Sequence, residues 1–538
     1  MVLNLAPPQA TLLLPYRGAS PAAFRIGVIT PSPQPSPWVE ALLAFLRQVP
    51  GFDVRSFPLK ADPAPAGEDA GWLMDRLYTA SRASFDPFGA HPSPAVASPS
   101  PESLNAIRTF DCHVILWLAP IQDPGVPLNG LSRRGVLTVR LGEQDSPFPF
   151  WDEVAGNSVT SKAAIFWHDN SFAQGRLLRQ AETSSFLGLH FTLNAEQPLV
   201  AVIRMLASLC LDIQADNGRF ERLLESAPLR SPEATSAPSN AQAALFLARK
   251  LMRSARLRWN ARGKQSQWFV AMRPNRGQSI VDPARLNPAD FADVPIPKGV
   301  EGMADPFLWE AGGSHFLLFE EMAVGWTKGR LACVEILEGG RFSEMQIILD
   351  RPYHLSYPCV FAADGESYLL PETEGAKKIE LYRFRRFPSE LELVLPLIDG
   401  IALVDTTPVR VDDRWCLFTT TSEPFMETLL FTASRLDGPY SLHPSSPIST
   451  SVRSCRSAGH LFWKDGRLFR PTQDCSVRYG YGMVVNEVTR LTESEFQERP
   501  VSYLSPSWRP GLLGTHTWNE SSRYQVLDGV RLRDGPSA

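Results

Sequence analysis

The chain has 538 residues, a near-neutral formal charge of -4 and 44% hydrophobic residues. This length predicts two to four domains with ample core, and the charge balance gives no support to binding of nucleic acid or of an anionic membrane. The seven cysteines are scattered without CxxC spacing, and several lie in apolar runs. They are typical of reduced, buried thiols, so we expect a cytosolic protein.

Residues 1–23 are predicted to form an N-terminal extension, with no basic segment followed by an apolar one that would indicate a secretory signal. The most apolar later run, residues 199–213, is interrupted by Arg204 and is shorter than the roughly 20 residues that a membrane helix needs. We therefore expect a soluble protein, which could still contact a membrane glycolipid at its surface.

Residues 24–226 are predicted to form an α/β domain of the doubly wound, Rossmann type. FRIGVIT, PWVEALLAFLRQV and FDVRSF read as strand, helix and strand, and CHVILWLAP and RGVLTVRLG supply further strands. Residues 163–192 alternate like edge strands, and residues 196–225 read as a closing helix. A Pro- and Ser-rich loop is predicted over 87–101, and residues 227–260 are a linker followed by a helix.

The C-terminal part, residues 261–538, contains five segments about fifty residues apart that follow one template. They are ADPFLWEAGGSHFLLFEE, SYPCVFAADGESYLLPETE, VDTTPVRVDDRWCLFTTT, RSAGHLFWKDGRLFRPTQD and GTHTWNESSRYQVLDG. Each reads as a short strand, a Gly- or Asp-containing turn and a second alternating strand, which is a hairpin repeated at the period of a propeller blade. We predict an all-β, five-bladed β-propeller.

In a propeller the first strand of each blade runs along the central axis, so equivalent residues form a ring around one mouth. The predicted ring contains Asp305, Tyr357, Asp405, Arg456 and His516. Polar residues that end the second strands are expected just behind it, and they include Glu320, Glu372, Gln473 and Asp474. Such a polar funnel suits a sugar.

Three carboxylates of this funnel are candidates for acid, base or nucleophile roles, namely Asp305, Glu372 and Asp405. For each of them the alternative is a structural role, in capping a turn or in pairing with an arginine. Arg456 and Arg470 could form a bidentate clamp for a phosphate or carboxylate, or could make structural salt bridges.

His516 could be a proton shuttle or a core histidine. Glu320, Tyr357, Gln473 and Asp474 complete the predicted substrate-binding set. The nine histidines show no HxH or HExxH spacing, so no metal site is expected. The absence of GxGxxG and Walker motifs gives no support to a bound dinucleotide or ATP, and no cofactor is expected.

The region from about Phe24 to Cys210 resembles the N-terminal domain of folate-dependent formyltransferases, in the order GVIT, VILWLA, GVLTV. In that family an Asn, a His and an Asp carry the chemistry. The corresponding places here hold Thr138, Arg140 and Ala173. The resemblance therefore implies a degenerate domain without the groups for proton transfer.

The region from about Trp268 to Arg533 is similar to the propeller of glucosamine inositolphosphorylceramide transferases. The motifs are ADPF, LSYP, PETE, ELYR, VDTT, SAGHLF, RPTQDC, YG and GTHTW, in order. It also resembles, less specifically, the five-bladed fold of glycoside hydrolase family 43. That hydrolase pattern implies an Asp, an Asp and a Glu on successive blades; Asp305 matches the first, whereas Glu372 and Asp405 occur in the reverse order.

These patterns lead to three hypotheses. The first is a glycosyl-transferring enzyme of surface glycan or glycolipid biosynthesis, with a carbohydrate or nucleotide-sugar substrate at the propeller mouth. The second is a noncatalytic glycan-binding or scaffold protein, in which the carboxylates are buried or neutralised by arginine. The third, minor one is a sugar N-formyltransferase. The sequence leaves the sugar donor, the acceptor, the stereochemical outcome and the oligomeric state open.

Overall fold

The computed structural model describes residues 23–59, 72–88, 99–119, 125, 127–144, 146, 148–216, 218–230, 238–261, 264–325, 327–422 and 425–534. The chain divides into two compact units, residues 1–258 and 259–538. The predicted N-terminal extension and most of the predicted Pro- and Ser-rich loop lie outside the described residues.

The first unit contains a seven-stranded sheet and most of the helices. Its strands are β1 (Phe24–Thr30), β2 (Phe52–Pro58), β3 (Val114–Trp117), β4 (Val136–Leu141), β5 (Thr160–His168), β6 (Gly175–Ser184) and β7 (Leu229–Arg230). The helices are α1 (Pro37–Gln48), α2 (Trp72–Ser84), α3 (Pro101–Phe110), α4 (Trp151–Ala155), α5 (Glu196–Ala215), α6 (Arg219–Ser226) and α7 (Asn240–Ala261), the last of which runs past the boundary at residue 258.

The sheet of the first unit is mixed, with strand order β2-β1-β3-β4-β5-β6-β7. β1 to β4 pair in parallel, and β5, β6 and β7 add antiparallel strands at one edge. β1 is almost wholly buried, which is typical of a strand covered on both faces. An α/β unit is therefore present, whereas its classification as Rossmann-type or formyltransferase-like stays a prediction.

Two elements of the first unit differ from the sequence-based expectation. The closing helix is broken at Asp216, whose left-handed φ of 44° ends α5 before α6 begins. The predicted linker is partly ordered into the sheet, because β7 pairs with β6.

The apolar segment of the first unit is also longer than expected. A 3₁₀ turn extends α5 into a helical segment over Phe191–Ala215, which has the length and hydropathy of a membrane span. However, 83% of its 18-residue apolar window is buried within the fold. That burial is typical of a core helix.

The second unit consists of five antiparallel sheets, which confirms the predicted five-bladed propeller. Blade 1 contains β10 (Val300–Ala311), β11 (Ser314–Ala323), β12 (Arg330–Ile336) and β13 (Gln346–Leu349). Blade 2 contains β14 (Ser356–Ala363), β15 (Glu366–Glu372), β16 (Lys378–Arg386) and β17 (Glu390–Asp399). Blade 3 contains β18 (Leu403–Val411), β19 (Arg414–Thr421), β20 (Thr428–Ala433) and β21 (Ser441–Leu442).

Blade 4 contains β22 (Arg456–Ser457), β23 (Phe462–Lys464), β24 (Arg467–Asp474), β25 (Gly482–Leu491) and β26 (Phe496–Leu504). Blade 5 contains β27 (Leu512–Gly514), β28 (Trp518–Glu520) and β29 (Tyr524–Asp534), together with β8 (Lys264–Pro274) and β9 (Ala292–Asp293). The register of β29 with β8 is unbroken from Tyr524 opposite Pro274 to Asp534 opposite Lys264. Strands from the two ends of the unit thus close the propeller.

The turns between first and second strands show why the repeated template forms hairpins. Asp364-Gly365 joins β14 to β15, and Asp465-Gly466 joins β23 to β24. All four residues have positive φ, between 50° and 82°. Asp-Gly at two such positions is the preferred sequence for a type I′ hairpin turn, whose twist matches the flanking strands.

The first strands of neighbouring sheets contact one another, so they are the innermost strands. In blades 1 to 3 the innermost strand carries a bulge, where its pairing with the second strand shifts register. The shifts lie between Ala304 and Phe307, Ser356 and Cys359, and Val404 and Thr407. The ring residues Asp305, Tyr357 and Asp405 occupy these bulges with φ of 50°, 47° and 50°. Left-handed backbone at a non-glycine residue is strained, and its repetition indicates that the surrounding contacts impose it.

Candidate functional site

The predicted second tier of polar residues lies directly opposite the ring. Glu320 pairs with Ala304, Glu372 with Ser356, and Gln473 with Arg456. Each second strand therefore returns its polar end to the mouth where its first strand begins. The hairpin register alone brings the two tiers together.

Asp305, His516, Thr517 and Asp528 form one buried set, which we call the closure cluster. Asp305 accepts hydrogen bonds from Thr517 Oγ1 at 2.6 Å and from the Tyr357 backbone N–H at 3.2 Å. Asp528 accepts from the backbone N–H groups of Asp305, His516 and Thr517 at 3.2, 2.8 and 3.1 Å. The cluster ties blade 5 to blades 1 and 2.

His516 is the cation of the closure cluster. Its Nδ1 lies 2.5 Å from Asp528 Oδ2, and its Nε2 lies 3.8 Å from Asp305 Oδ1. Burial by itself would lower the pKa of His516, but the two carboxylates outweigh burial and raise that pKa to about 9. Burial, above all, raises the pKa of Asp305 to about 6.

The ligand atoms of Asp305, His516 and Asp528 lie within 4.8 Å of one another, which is close enough to surround a cation. With its pKa raised to about 9, His516 supplies the positive charge between these carboxylates, and the three side chains form an internal ion pair. The expectation that the protein has no metal site stays a prediction.

Glu372, Asp405, Arg456 and Gln473 form a second set, which we call the mouth cluster. Arg456 Nε donates to Asp405 Oδ2 at 2.7 Å, and Gln473 Nε2 donates to the same oxygen at 3.1 Å. Arg456 Nη2 lies 3.7 Å from Glu372 Oε2, which also accepts from Ser356 Oγ at 3.0 Å. The guanidinium is thus held between two carboxyl groups.

Two carboxyl groups at the mouth have strongly raised pKa values. Burial, followed by the nearby Asp405 carboxylate, raises the pKa of Glu372 to about 8. Burial, followed by the Asp305 charge, raises the pKa of Glu320 well above its usual range, and His354 Nε2 lies 3.4 Å from its Oε1. Glu372 therefore carries its proton at neutral pH.

Tyr479 and His354 form the accessible rim of the mouth. Tyr479 is 49% exposed, and its ring packs against the Arg456 guanidinium at 4.9 Å and edge-on against the His516 ring at 5.4 Å. His354 lies in the connection from blade 1 to blade 2 and is about half exposed. Sequence reasoning missed both rim residues because they follow the repeated hairpins in irregular segments.

Sequence reasoning also missed Asp528 and Trp268. The latter lies on β8, and its ring stacks on His516 at 4.3 Å. Asp528 follows the apolar run YQVL of the fifth segment, so a charged residue directly after an alternating run was a usable signal.

The structure places Tyr357 outside the accessible mouth, which corrects its predicted contact with substrate. Its side chain is fully buried, and its hydroxyl group bonds to Thr407 Oγ1 at 2.7 Å and to the backbone of Gly459. Tyr357 thus lies at its predicted ring position, but its hydroxyl group links blades 2, 3 and 4 inside the fold.

The predicted Arg456–Arg470 clamp is not formed. Arg470 is fully buried and donates to both carboxylate oxygens of Glu498, at 2.8 and 2.6 Å. The reason is strand alternation, since Arg470 precedes Gln473 by three residues and therefore faces the other side of β24. Asp474 is directed away from Gln473 for the same reason, and it accepts from Tyr503 Oη at 3.1 Å and from the Ser476 N–H at 2.9 Å.

In the first unit, the positions matched to formyltransferase chemistry are occupied by structural contacts. Thr138 is buried and its hydroxyl lies 3.0 Å from His168 Nε2, while the Arg140 guanidinium lies over the Phe166 ring at 4.5 Å. His168 is an imidazole that the sequence comparison did not find. It is only 5% exposed, and its other ring nitrogen lies 3.1 Å from the Gln174 carbonyl.

The seven cysteines are all buried and none forms a disulfide, as predicted. The cytosolic location inferred from them stays a prediction.

Residues 283–537 match the family model of the N-terminal region of glucosamine inositolphosphorylceramide transferase 1. The chain is 33% identical over 294 residues to the transferase of that name from Oryza sativa subsp. japonica, covering 53% of this chain and 37% of the rice protein. It is 29% identical over 256 residues to the Arabidopsis thaliana protein, covering 46% and 32%. The chain thus spans about a third of the length of these relatives, and the family model matches within the propeller.

Solved structures with a similar arrangement include a family 117 glycoside hydrolase from Zobellia galactanivorans, with a TM-score of 0.33 and 12% identity over 51% of this chain and 92% of that one. An α-L-arabinanase from Cellvibrio cellulosa has a TM-score of 0.29 and 12% identity over 37% and 77%. At these identities neither likeness indicates a substrate for this chain.

Proposed function

We propose that this protein takes part in glycosyl transfer to a glycan or glycolipid, and that its propeller binds the sugar at the mouth cluster. The observation that carries the proposal is the position of Glu372, whose carboxyl group lies 3.7 Å from Arg456 of the Arg456–Asp405 pair, beside an accessible aromatic rim, and whose pKa is raised by burial to about 8. The similarity of residues 283–537 to the N-terminal region of a glycolipid transferase supports it.

The mouth offers three functions that a sugar site needs. A carboxylic acid that keeps its proton at neutral pH can donate it to a departing sugar oxygen, or can hydrogen-bond a hydroxyl group. Arg456 is fixed by Asp405 and offers a planar set of donors without reorganisation. The half-exposed Tyr479 ring presents an apolar face on which a sugar ring can pack.

A second function, noncatalytic glycan binding, is favoured by the burial of all three predicted catalytic carboxylates, of which Glu372 is 7% exposed. Asp305 is 3% exposed and Asp405 is 1% exposed, and the oxygens of both accept hydrogen bonds from neighbouring blades. A hydrolase-like mechanism needs two carboxyl groups on either side of an open cleft. Glu372 by itself supplies only the proton donor.

One experiment separates these functions. Wild type and Glu372→Gln are compared for sugar binding by calorimetry and for transfer from a nucleotide-activated amino sugar to an inositolphosphorylceramide acceptor. If Glu372 is the proton donor, the variant should still bind the sugar, because glutamine keeps a hydrogen-bonding group, but should transfer it about a hundredfold more slowly, as loss of a general acid does.

The other outcomes are equally informative. Sugar binding without transfer by wild type, over a panel of donors and acceptors, would identify the noncatalytic protein. A wild-type chain that binds no sugar of the panel would contradict both functions. Arg490→Ala, an exposed position on β25 remote from the mouth, is the control for nonspecific effects of substitution.

A further inference from the structure

A cavity lies on the same face of the propeller as the mouth. It is bounded by the loop 475–481, which follows β24, and by the connection 505–511 from blade 4 to blade 5. β24 ends at the mouth, because Gln473 pairs with Arg456, and β26 ends beside the start of β25, because Leu504 pairs with Met483. Both segments therefore emerge at the mouth.

The cavity has a volume of about 380 Å³, within the range of small-ligand sites. Its walls combine two arginines with apolar and aromatic side chains, among them Arg478, Arg509, Tyr481, Pro506, Leu512 and Leu513. No Asp or Glu is among its described lining residues. The lining suits a ligand that joins an anionic group to a less polar part.

The residues that contact the cavity wall from within the fold do not neutralise its positive charge. Arg509 and Arg531 share a single carboxylate, Asp293, so that group of three carries a net positive charge. Arg509 is also held by the Phe291 carbonyl at 2.7 Å and by the Trp508 ring at 4.7 Å. Its guanidinium is therefore fixed in place at the cavity wall.

Arg478 differs from Arg509 because it is exposed and makes no hydrogen bond or ion pair with any residue that the structure describes. An arginine that lines a cavity without a partner has all its donors available for a ligand.

Arg478 is next in the chain to Tyr479, so the cavity adjoins the mouth. The loop that carries both is seated firmly on blade 5, since the Thr515 N–H donates to the Gly480 carbonyl at 2.9 Å. Gly480 has a φ of 61°, and a Cβ there would lie 2.8 Å from the His516 ring. Only glycine allows this close approach, which places Tyr479 over the mouth and Arg478 at the cavity.

We propose that Arg478, supported by the fixed positive charge at Arg509, binds the phosphate of a substrate whose sugar occupies the mouth. The substrate class is a sugar bearing a phosphodiester, either a nucleotide sugar or the headgroup of a phosphate-containing glycolipid. The apolar wall at Leu512 and Leu513 contacts the group on the far side of the phosphate. This inference rests on the proposed sugar site and replaces the Arg456–Arg470 clamp.

The test compares ligands with and without the phosphate on the full chain. Affinities are measured by calorimetry for N-acetylglucosamine and UDP-N-acetylglucosamine, and for inositol and glycerophosphoinositol. Wild type should bind at least one phosphate-bearing ligand about tenfold or more tightly than its neutral counterpart, as a charge-assisted arginine contact provides. The pair that shows the gain identifies the nucleotide or the lipid headgroup as the source.

Arg478→Ala should abolish that gain while leaving the affinity for the neutral sugar unchanged, and Arg478→Lys should restore only part of it. Arg490→Ala removes an exposed arginine from the opposite end of the same blade and should behave as wild type. Equal phosphate gains in wild type and Arg478→Ala would overturn the proposal. Neutral sugars that bind without any phosphate gain would overturn it and leave the sugar site standing, whereas no binding of any ligand would overturn both.

Discussion

The closure cluster and the mouth cluster occupy equivalent positions of the propeller and are built from the same kinds of group. Each contains carboxylates around one cation, His516 in the first and Arg456 in the second. In the closure cluster the side chains are 0–3% exposed and Asp528 also caps three backbone N–H groups. In the mouth cluster the cation contacts an accessible tyrosine, and one carboxyl group is held protonated.

A carboxylate at the axis of a propeller is therefore not by itself a catalytic group. Asp305 lies where the sequence predicted the first catalytic residue, but its oxygens hold blades 1, 2 and 5 together. Glu372 is also buried, but it lies one strand further from the axis, and its carboxyl group is 3.7 Å from the Arg456 guanidinium that contacts the rim. Whether a carboxylate is structural or functional depends on its backbone and charge partners, and not on its position in the ring.

The largest expected effect comes from Asp528→Asn. The amide keeps the shape of the side chain but loses the charge that balances His516, so the free energy of unfolding should fall by about 3–5 kcal/mol, as for a broken buried ion pair. The measurement is urea unfolding at pH 7.5. Glu372→Gln, the same kind of change in the mouth cluster, is the matched control and should not destabilise the fold. Equal losses in the two variants would erase the distinction between the clusters.

The next effect is a pH dependence that differs between the clusters. The pKa of Glu372 is raised to about 8 in the folded protein. The free energy of unfolding therefore falls as the pH rises from the pKa of the unfolded glutamate to about 8. The free energy of unfolding of Glu372→Gln, relative to that of wild type, should therefore increase by roughly 1 kcal/mol per pH unit between pH 5 and 8 and stay constant above pH 8.

The His516 pKa of about 9 is raised as well, so its contribution is lost between about pH 6.5 and 9 in both proteins. Unfolding curves from pH 5 to 9.5 test this. Parallel pH profiles of wild type and Glu372→Gln would show that Glu372 is ionised at neutral pH, and would remove the proton donor from the proposed function.

The smallest effect on stability is expected for Tyr479→Ala. Because the ring is half exposed, the free energy of unfolding should change by only about 0.5 kcal/mol. Sugar affinity should nevertheless fall about tenfold, since an aromatic platform contributes roughly 1 kcal/mol or more. Calorimetry against the sugar found in the panel is the measurement. Unchanged affinity would place the sugar elsewhere than on the mouth rim.

Much of the fold was predictable because its signals are local. Alternating apolar residues and Asp-Gly turns specify hairpins through short-range backbone preferences, and the repeat period of five such hairpins indicates the propeller. The register that sets Glu372 opposite Ser356 follows from the same hairpin and needed no tertiary information.

The partners of the site residues were decided only in the folded chain. Arg470 and Gln473 look alike in the sequence as polar residues of one strand, yet alternation sends one to Glu498 and the other to Asp405. Likewise, the raised pKa values of Glu372 and His516 depend on burial and on carboxylates contributed by other strands or blades.

The sequence by itself determined the repeating hairpins, the five blades and the positions that face the axis, since these depend on periodicity and turn chemistry within each segment. The tertiary structure decided which of those positions are enclosed and which are accessible. Closing the ring brings β29 against β8 and sets the His516–Asp528 pair of the fifth segment beside Asp305 of the first. Burial and charge pairing between blades depend on that closure, because the two partners of each such contact belong to different segments.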